Sequence, residues 1–346
     1  MSIKKNGMKG IFGSAWGQRA MILILICIVM LFFEPRFLTG NNFINILLSI
    51  SIYGIMACGM LFPVLVSGID LSIGSVAALS GAIITFYSMD RGSTNGSFVV
   101  GFIIAMLICV VIGVVHGLLV MKISIPAFVV TLATKYFLQG IVMIYTGNAY
   151  TNITDKSSLL YKFSTTQLFS TIPMPVVVFI VIIIITLFIL NFTVFGRKIY
   201  AVGGNITAAR FAGIKCNKTV IIAYIASSVA AGIGGIVLTS WNAVVSSLLA
   251  SGYEGPVLLA IIIGGVNLAG GEGGVAGAVF GALFVGIIDN MQTLLGVPGE
   301  YRDFIQGMII IVALALTVYS HRKSSGLAGP PLSGKVPRKK RAAKTD

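Results

Sequence analysis

The sequence predicts an all-α integral membrane protein with about ten transmembrane helices. Three observations carry that fold class. Only 10 % of the 346 residues are charged and 57 % are hydrophobic, where a soluble domain carries about 25 % charged residues. Mean hydropathy reaches +1.00. Mostly apolar stretches near the ~20 residues that span a bilayer recur ten times along the chain.

The first stretch, 17–33, follows a basic N-terminus, as the apolar core of a signal peptide would. No convincing cleavage site follows and Phe33-Glu34-Pro35 ends the run, so it reads as a retained signal anchor. Stretches 43–66, 71–89, 98–120, 125–146, 174–195 and 219–240 come next. The eighth, 256–270, is short and flanked by Gly-rich segments, so it need not cross fully. Spans at 275–294 and 303–320 complete a transmembrane domain, 17–320, between a basic N-terminus at 1–16 and a basic tail at 321–346. The four-span blocks 43–146 and 219–320 flank a single span, so corresponding helices would run in opposite directions, as in an inverted repeat.

A net charge of +14 raises nucleic acid as a partner, but its distribution points to a membrane. Lys4, Lys5, Lys9, Arg19, Lys122, five basic residues in the 196–218 loop and eight after His321 fall on one side of the expected spans. Only Arg36, Arg91, Lys156, Lys162 and Arg302 fall on the other. The positive-inside rule then places both termini in the cytoplasm. The run from Lys335 to Lys344 is most simply a solvated tail beside anionic membrane lipid. Cys27, Cys58, Cys109 and Cys216 form no C-x-x-C, and His116 lies far from His321, so neither a disulfide framework nor a metal site is indicated.

Between Arg36 and Asp90 the one charged side chain is Asp70. The apolar run ends at Val66, breaks through Ser67-Gly68-Ile69-Asp70 and resumes as a helix rich in small residues. A carboxylate at bilayer depth costs roughly 2.5–3.5 kcal/mol, so such groups face a cavity or a partner. Two readings stand together. Asp70 or Ser72 caps the second helix, or the broken helix marks the translocation pathway of a transporter. Lys135, inside the fifth span, can snorkel, pair with a carboxylate or touch a substrate, and pairing is the preferred reading.

Two loops carry more local structure than a connection needs. The 147–173 loop, with Asn148, Asn152, Asp155 and a Ser/Thr-rich stretch, is long enough to contact an external partner. In 196–218, Thr207 is placed to cap a short helix, Ala208 to Ala212, that Gly213 ends. A short helix with basic flanks suits docking of another protein; the plainer alternative is a topology loop. Gly273, Gly277 and Gly281, four residues apart, predict close helix packing in lipid. Gly271-x-Gly273-x-x-Ala276 lacks the βαβ setting of a dinucleotide site. Gly329-P-P-L-S-Gly334-Lys335 begins like a phosphate loop, but Val336 stands where Ser or Thr is needed. Any ATP-driven mechanism therefore requires a separate ATPase.

G-I-D-L-S-I-G-S (68–75), I-P-A-F-V-V-T-L-A-T (125–134), G-R-K-I-Y-A-V-G-G-N (196–205), A-A-R-F-A-G-I (208–214), G-Y-E (252–254), I-G-G-V-N-L-A-G-G (263–271) and L-L-G-V (294–297) follow one another along the chain. In these motifs the chain resembles the permease subunits of bacterial ABC importers for ribose, xylose, arabinose and galactose-type sugars. The resemblance implies the ABC importer permease fold in the bacterial plasma (inner) membrane. It also implies a separate ABC ATPase that binds the ATP, an extracytoplasmic sugar-binding protein, and a second permease chain in a homo- or heterodimer. It implies no cofactor, no nucleic acid and no enzymatic activity for this chain. Gly68, Asp70 and Ser72 would shape the substrate pathway, with Lys135, Asp289 and Asn290 as further candidates. The coupling helix would lie in 196–218 and meet the ATPase through Gly204, Asn205, Ala208, Ala209, Arg210 and Gly213.

Departures from the family pattern bear on the substrate: Gly255-Pro256 after G-Y-E, Ile206-Thr207, Glu272, Gln139, and Asp289 at the first place of an Asn-Asn pair. Rival readings are a nucleoside or branched-chain amino acid permease, and an ion-coupled carrier using Asp70 and Asp289. A membrane enzyme would need a metal-ligand cluster or a Ser/His/Asp arrangement that the sequence does not offer.

Overall fold

Each of the ten apolar stretches contains an α-helix among residues 15–92, 94–168 and 172–324, which the computed structural model describes. Helix α1 (Ala15–Phe33) leads through a 3-10 turn (Pro35–Leu38) into α2 (Gly40–Leu65), α3 (Ile73–Asp90), α4 (Asn95–Lys122) and α5 (Ala127–Thr146). Then come β1 (Thr151–Asn152), α6 (Leu159–Thr165), β2 (Gln167–Leu168), β3 (Ile172–Pro173) and α7 (Met174–Phe192). Two short helices follow, α8 (Val194–Gly204) and α9 (Ile206–Phe211). The chain continues through α10 (Cys216–Asn242), β4 (Val244–Val245), α11 (Glu254–Ile263), α12 (Val275–Leu294) and α13 (Gly299–Ser324). Among the described residues 7 helices are long and apolar enough to cross a membrane: α2, α3, α4, α5, α7, α10 and α12. The strands form two antiparallel two-stranded ribbons, β1 with β4 and β2 with β3, so the architecture is all-α. Most of the basic tail and most of the N-terminal segment lie outside the described residues.

Local chemistry fixes where the helices begin. The Thr39 hydroxyl accepts from the Asn42 N–H at 3.4 Å, and that of Thr94 from the Ser97 N–H at 3.1 Å, which satisfies one free donor at the start of α2 and of α4. Helices α2, α3 and α10 form the centre, with Ile55, Met56, Leu61, Ile73, Ile84 and Ile236 shielded completely. By contrast, α4, α5 and α7 present exposed apolar side chains such as Val111, Phe137 and Phe188, whose natural neighbour in a membrane is lipid. Close approach depends on small residues. A Cβ at Gly235 of α10 would overlap the Ala77 backbone of α3, and one at Gly281 of α12 would overlap the Ala260 carbonyl oxygen of α11. Gly277 packs the same way on Gly264. Gly273 does not join this stripe, because α12 starts at Val275 and Gly273 lies in the preceding turn with φ +133°.

The eighth stretch ends earlier than expected. Helix α11 has 10 residues, so it is about 15 Å long, half of a ~30 Å hydrocarbon core. Residues 264–274 are irregular, and Gly265, Gly270 and Gly271 adopt left-handed backbone that ends the helix and reverses the chain.

Candidate functional site

Helix α2 carries Pro63 in its last turn, and the chain beyond it folds back on that turn. The N–H groups of Val66 and Gly68 donate to the Pro63 carbonyl at 3.1 and 2.8 Å. Asp70 follows, fully buried. Its Oδ1 accepts from the Ser72 N–H at 3.0 Å and the Ser72 hydroxyl at 2.6 Å, while Oδ2 accepts from the Ser227 hydroxyl of α10 at 2.7 Å. Ser72 occupies the N-cap position of α3 but makes no side-chain cap, since its hydroxyl points to Asp70. The carboxylate therefore fastens the helix break to α10. His116 of α4 and Tyr224 of α10 lie within electrostatic reach of it, their rings edge to face at 5.9 Å. Among the described residues, both His116 ring nitrogens and the Tyr224 and Ser228 hydroxyls are buried without a hydrogen-bond partner. An unsatisfied buried group costs about 1–3 kcal/mol, so this polar centre is one that water or a solute hydroxyl would stabilise.

Lys135 of α5 donates to Glu254 Oε1 at the start of α11, and both side chains are largely shielded. The second Glu254 oxygen is buried beside Gly74 in the first turn of α3, where the positive end of that helix favours a carboxylate. The pair thus joins α5, α11 and the helix that follows the break.

At the opposite end of α2, a cavity of about 360 Å³ opens between α2, α10 and α12. Asn290 and Asn42 on its wall exchange amide hydrogen bonds of 2.8 and 3.0 Å, and Asn42 also donates to the Phe37 carbonyl at 2.9 Å. Asn290 therefore ties α12 to α2. Asp289 accepts from the Ser49 hydroxyl at 3.2 Å. Of the six expected pathway residues, Gly68, Asp70 and Ser72 form the break, Lys135 joins Glu254, Asn290 lines the cavity, and Asp289 stands behind its wall, bonded to Ser49.

Around the break, three segments meet through their backbones. The Gly271 N–H donates to the Leu65 carbonyl at 2.9 Å, and the Ser67 hydroxyl to the Ala269 carbonyl at 2.6 Å. A Cβ at Gly203 of α8 would overlap that same Leu65 carbonyl. Tyr200 of α8 donates to the Gly273 carbonyl at 2.9 Å, and burial pushes its phenol up, which keeps it a donor. Helix α9 follows α8 directly. Its cap is Asn205, whose Oδ1 accepts from the Ala208 N–H at 2.9 Å; Thr207 lies one residue inside the helix, which starts at Ile206. Gly213, at φ +79°, ends it. Ala208 and Arg210 are exposed and Phe211 is 89 % exposed. Ala209 faces inward, against Val202, Cys216 and Tyr224.

The model of one protein family, described as branched-chain amino acid transport system / permease component, matches residues 42–314. This chain belongs to that family. It is a transport permease and not an enzyme. Over 308 residues the permease is 34 % identical to the ribose import permease protein of Escherichia coli, covering 88 % of this chain and 94 % of that protein. It is 33 % identical over 313 residues to the L-arabinose transport system permease protein of Escherichia coli, covering 90 % and 93 %. The D-allose transport system permease protein of Escherichia coli is 32 % identical over 313 residues, with 88 % and 93 % covered. No solved structure matches the chain. Family membership implies an ABC transporter, in which the permease works with an ATPase and a substrate-binding protein.

Several residues placed at this permease's polar centres carry no motif of their own. Ser227, His116 and Tyr224 meet Asp70 from 157 or fewer residues away, and Glu254 meets Lys135 across 119. Glu254 had a signal, the G-Y-E motif in a chain poor in carboxylates. His116, a lone histidine in an apolar run, had only its polarity.

Proposed function

We propose that this chain is the transmembrane permease subunit of an ATP-driven importer of monosaccharides. The observation that carries this reading is similarity over about nine-tenths of the chain to permeases named for ribose, L-arabinose and D-allose. Residues 17–320 form the transmembrane domain, with both termini and α9 on the cytoplasmic side, following the placement of basic residues. Ten membrane-embedded segments arise if α1, α11 and α13 join the longer helices. Blocks 43–146 and 219–320 form an inverted repeat; in support, each begins with a long central helix, α2 or α10, followed by a break at 66–72 or 243–253.

In this reading α9 is the helix that couples to the ATPase, with Ala208, Arg210 and the exposed Phe211 as its docking face. Gly204, Asn205 and Gly213 shape it, and Ala209 anchors it to the permease. The break at Gly68, Asp70 and Ser72 is where movement of α8 and α9 reaches the pathway. Two permease chains, identical or not, complete the path. The branched-chain amino acid wording of the family description keeps a second substrate class in view.

Reconstitution tests the proposal. The permease, its ATPase and its binding protein in proteoliposomes should accumulate labelled D-ribose, L-arabinose or D-allose only with internal or external ATP on the ATPase side. The purified permease alone should hydrolyse no ATP. Uptake driven by a sodium or proton gradient without the ATPase would establish an ion-coupled carrier instead, and uptake of L-leucine in place of sugar would establish an amino acid permease.

A further inference from the structure

The cavity between α2, α10 and α12 has a chemistry narrower than its size. Its volume of about 360 Å³ is in the ~300–1,000 Å³ range of small-molecule sites. Asn42, Asn45, Ser49 and Ile52 stand three or four residues apart and so share one face of α2. Trp241 and Asn242 come from the last turn of α10, and Tyr253 from the segment entering α11. Asn42 and Asn290 engage each other and form the frame. Asn45 is exposed on the wall. Asn242 donates to the Leu238 carbonyl at 2.9 Å, which leaves its amide oxygen for another partner. Tyr253 is braced by the Tyr53 ring at 5.1 Å.

The wall itself carries no formal charge; Asp289 and Arg302 stand behind it, bonded to the Ser49 and Thr293 hydroxyls. Carboxamides both donate and accept, which matches the mixed donors and acceptors of a neutral polyol. An aromatic face covers the C–H side of a sugar ring. A zwitterionic amino acid would bring two charges, while the charged groups behind the wall, Asp289 and Arg302, are already engaged with Ser49, Thr293 and Val297, and an unpaired charge is far costlier to desolvate than a hydrogen-bonded hydroxyl. The cavity also lies at the end of α2 away from Ser67, Gly203 and α9, the end that receives solute when α9 faces the ATPase. We infer that it is a monosaccharide-binding vestibule, in which Asn45 and Asn242 hydrogen-bond sugar hydroxyls and Trp241 covers one face of the ring. This deepens the sugar-importer reading and rests on it.

Trp241 is one of 2 tryptophans, the other being Trp16, so the full-length Trp16→Phe permease reports on the cavity through its own fluorescence. D-ribose, L-arabinose, D-allose and L-leucine are titrated into that protein in detergent. The expected result is a saturable change with at least one sugar and none with leucine. Asn45→Leu should weaken the response about tenfold, the loss expected for a hydrogen-bonding group, and Asn45→Gln should restore part of it. Size-exclusion profiles and unperturbed starting spectra show that the variants are folded. In the intact importer, Trp241→Leu should lower sugar uptake and change the ranking among the three sugars, while ATPase stimulation by the loaded binding protein persists. No response to any sugar, a response that Asn45→Leu leaves unchanged, or a response to leucine alone overturns the vestibule, even where the wild-type importer takes up sugar. Absence of ATP-dependent sugar uptake by the wild type overturns the importer reading instead.

Discussion

Asp70 holds three hydrogen bonds in the middle of an apolar bundle, and its neighbours decide what replacing it does. Asp70→Asn keeps an acceptor oxygen for the Ser72 or Ser227 hydroxyl, whereas Asp70→Leu keeps none. The leucine variant would leave both serines unsatisfied beside His116 and Tyr224, at about 1–3 kcal/mol for each orphaned group. Sugar uptake per folded molecule should fall about tenfold or more in Asp70→Leu and be partly retained in Asp70→Asn. Unchanged uptake per folded molecule in Asp70→Leu would reduce the residue to a staple. The Lys135–Glu254 pair makes a different demand. Its side chains are 20 % and 14 % exposed, so Lys135→Met strands a shielded carboxylate. Stability in detergent should drop by about 1–3 kcal/mol. Adding Glu254→Gln should recover much of that loss, and a simple sum of the two single losses would show that the pair does not act as a unit.

Helix α9 is six residues long and survives because both ends are fixed: Asn205 accepts at the start, and Gly213 takes a backbone conformation that a branched residue tolerates poorly. Its two faces predict two phenotypes. Phe211→Ala removes an exposed apolar group and should weaken ATPase binding without lowering permease stability. Ala209→Glu buries a charge among Val202, Cys216 and Tyr224, so it should destabilise the permease itself. Gly213→Val should combine lost docking with normal membrane insertion. Pull-down of the ATPase and thermal unfolding separate the three, and wild-type ATPase affinity in both Phe211→Ala and Gly213→Val would remove α9 from the docking role. Much of this element was legible in the sequence, because a glycine stop and a polar start are local signals. The register of the cap was not: Asn205 and Thr207 are both competent caps, and the packing of Val202 and Ala209 decides between them. The long helices were legible because apolar length alone specifies them. The half-helix α11 was overextended because the glycines at 264 and 265 read equally well as packing residues. Ser72 beside Asp70 was legible, but the long-range partners of Asp70, Lys135 and Asn290 lie 157, 119 and 248 residues away, and no local pattern announces contacts at that range.

Across the whole permease, one continuous route runs from α9 to the broken helix. Ala209 and Val202 pack on Tyr224, whose hydroxyl lies under Gly68 beside Asp70. In parallel, α8 touches the end of α2, where the Gly203 backbone approaches the Leu65 carbonyl too closely for any Cβ, and Tyr200 holds the 264–274 segment. Rigid helices joined by backbone contacts pass on a displacement; a mobile linker would absorb it. Docking and transmission should therefore be separable by mutation. Gly203→Ala leaves α9 and Phe211 intact but forces α8 away from the break, so ATPase affinity should stay normal while the link to Asp70 loosens. The expected phenotype is uncoupling: ATP hydrolysis stimulated by the loaded binding protein continues, and sugar accumulated per ATP hydrolysed falls about tenfold. Phe211→Ala should do the reverse, lowering hydrolysis and uptake together through weaker assembly. Measuring both rates on the same proteoliposomes decides, and a Gly203→Ala importer with the wild-type ratio of uptake to hydrolysis would show that the contact between α8 and α2 carries no coupling.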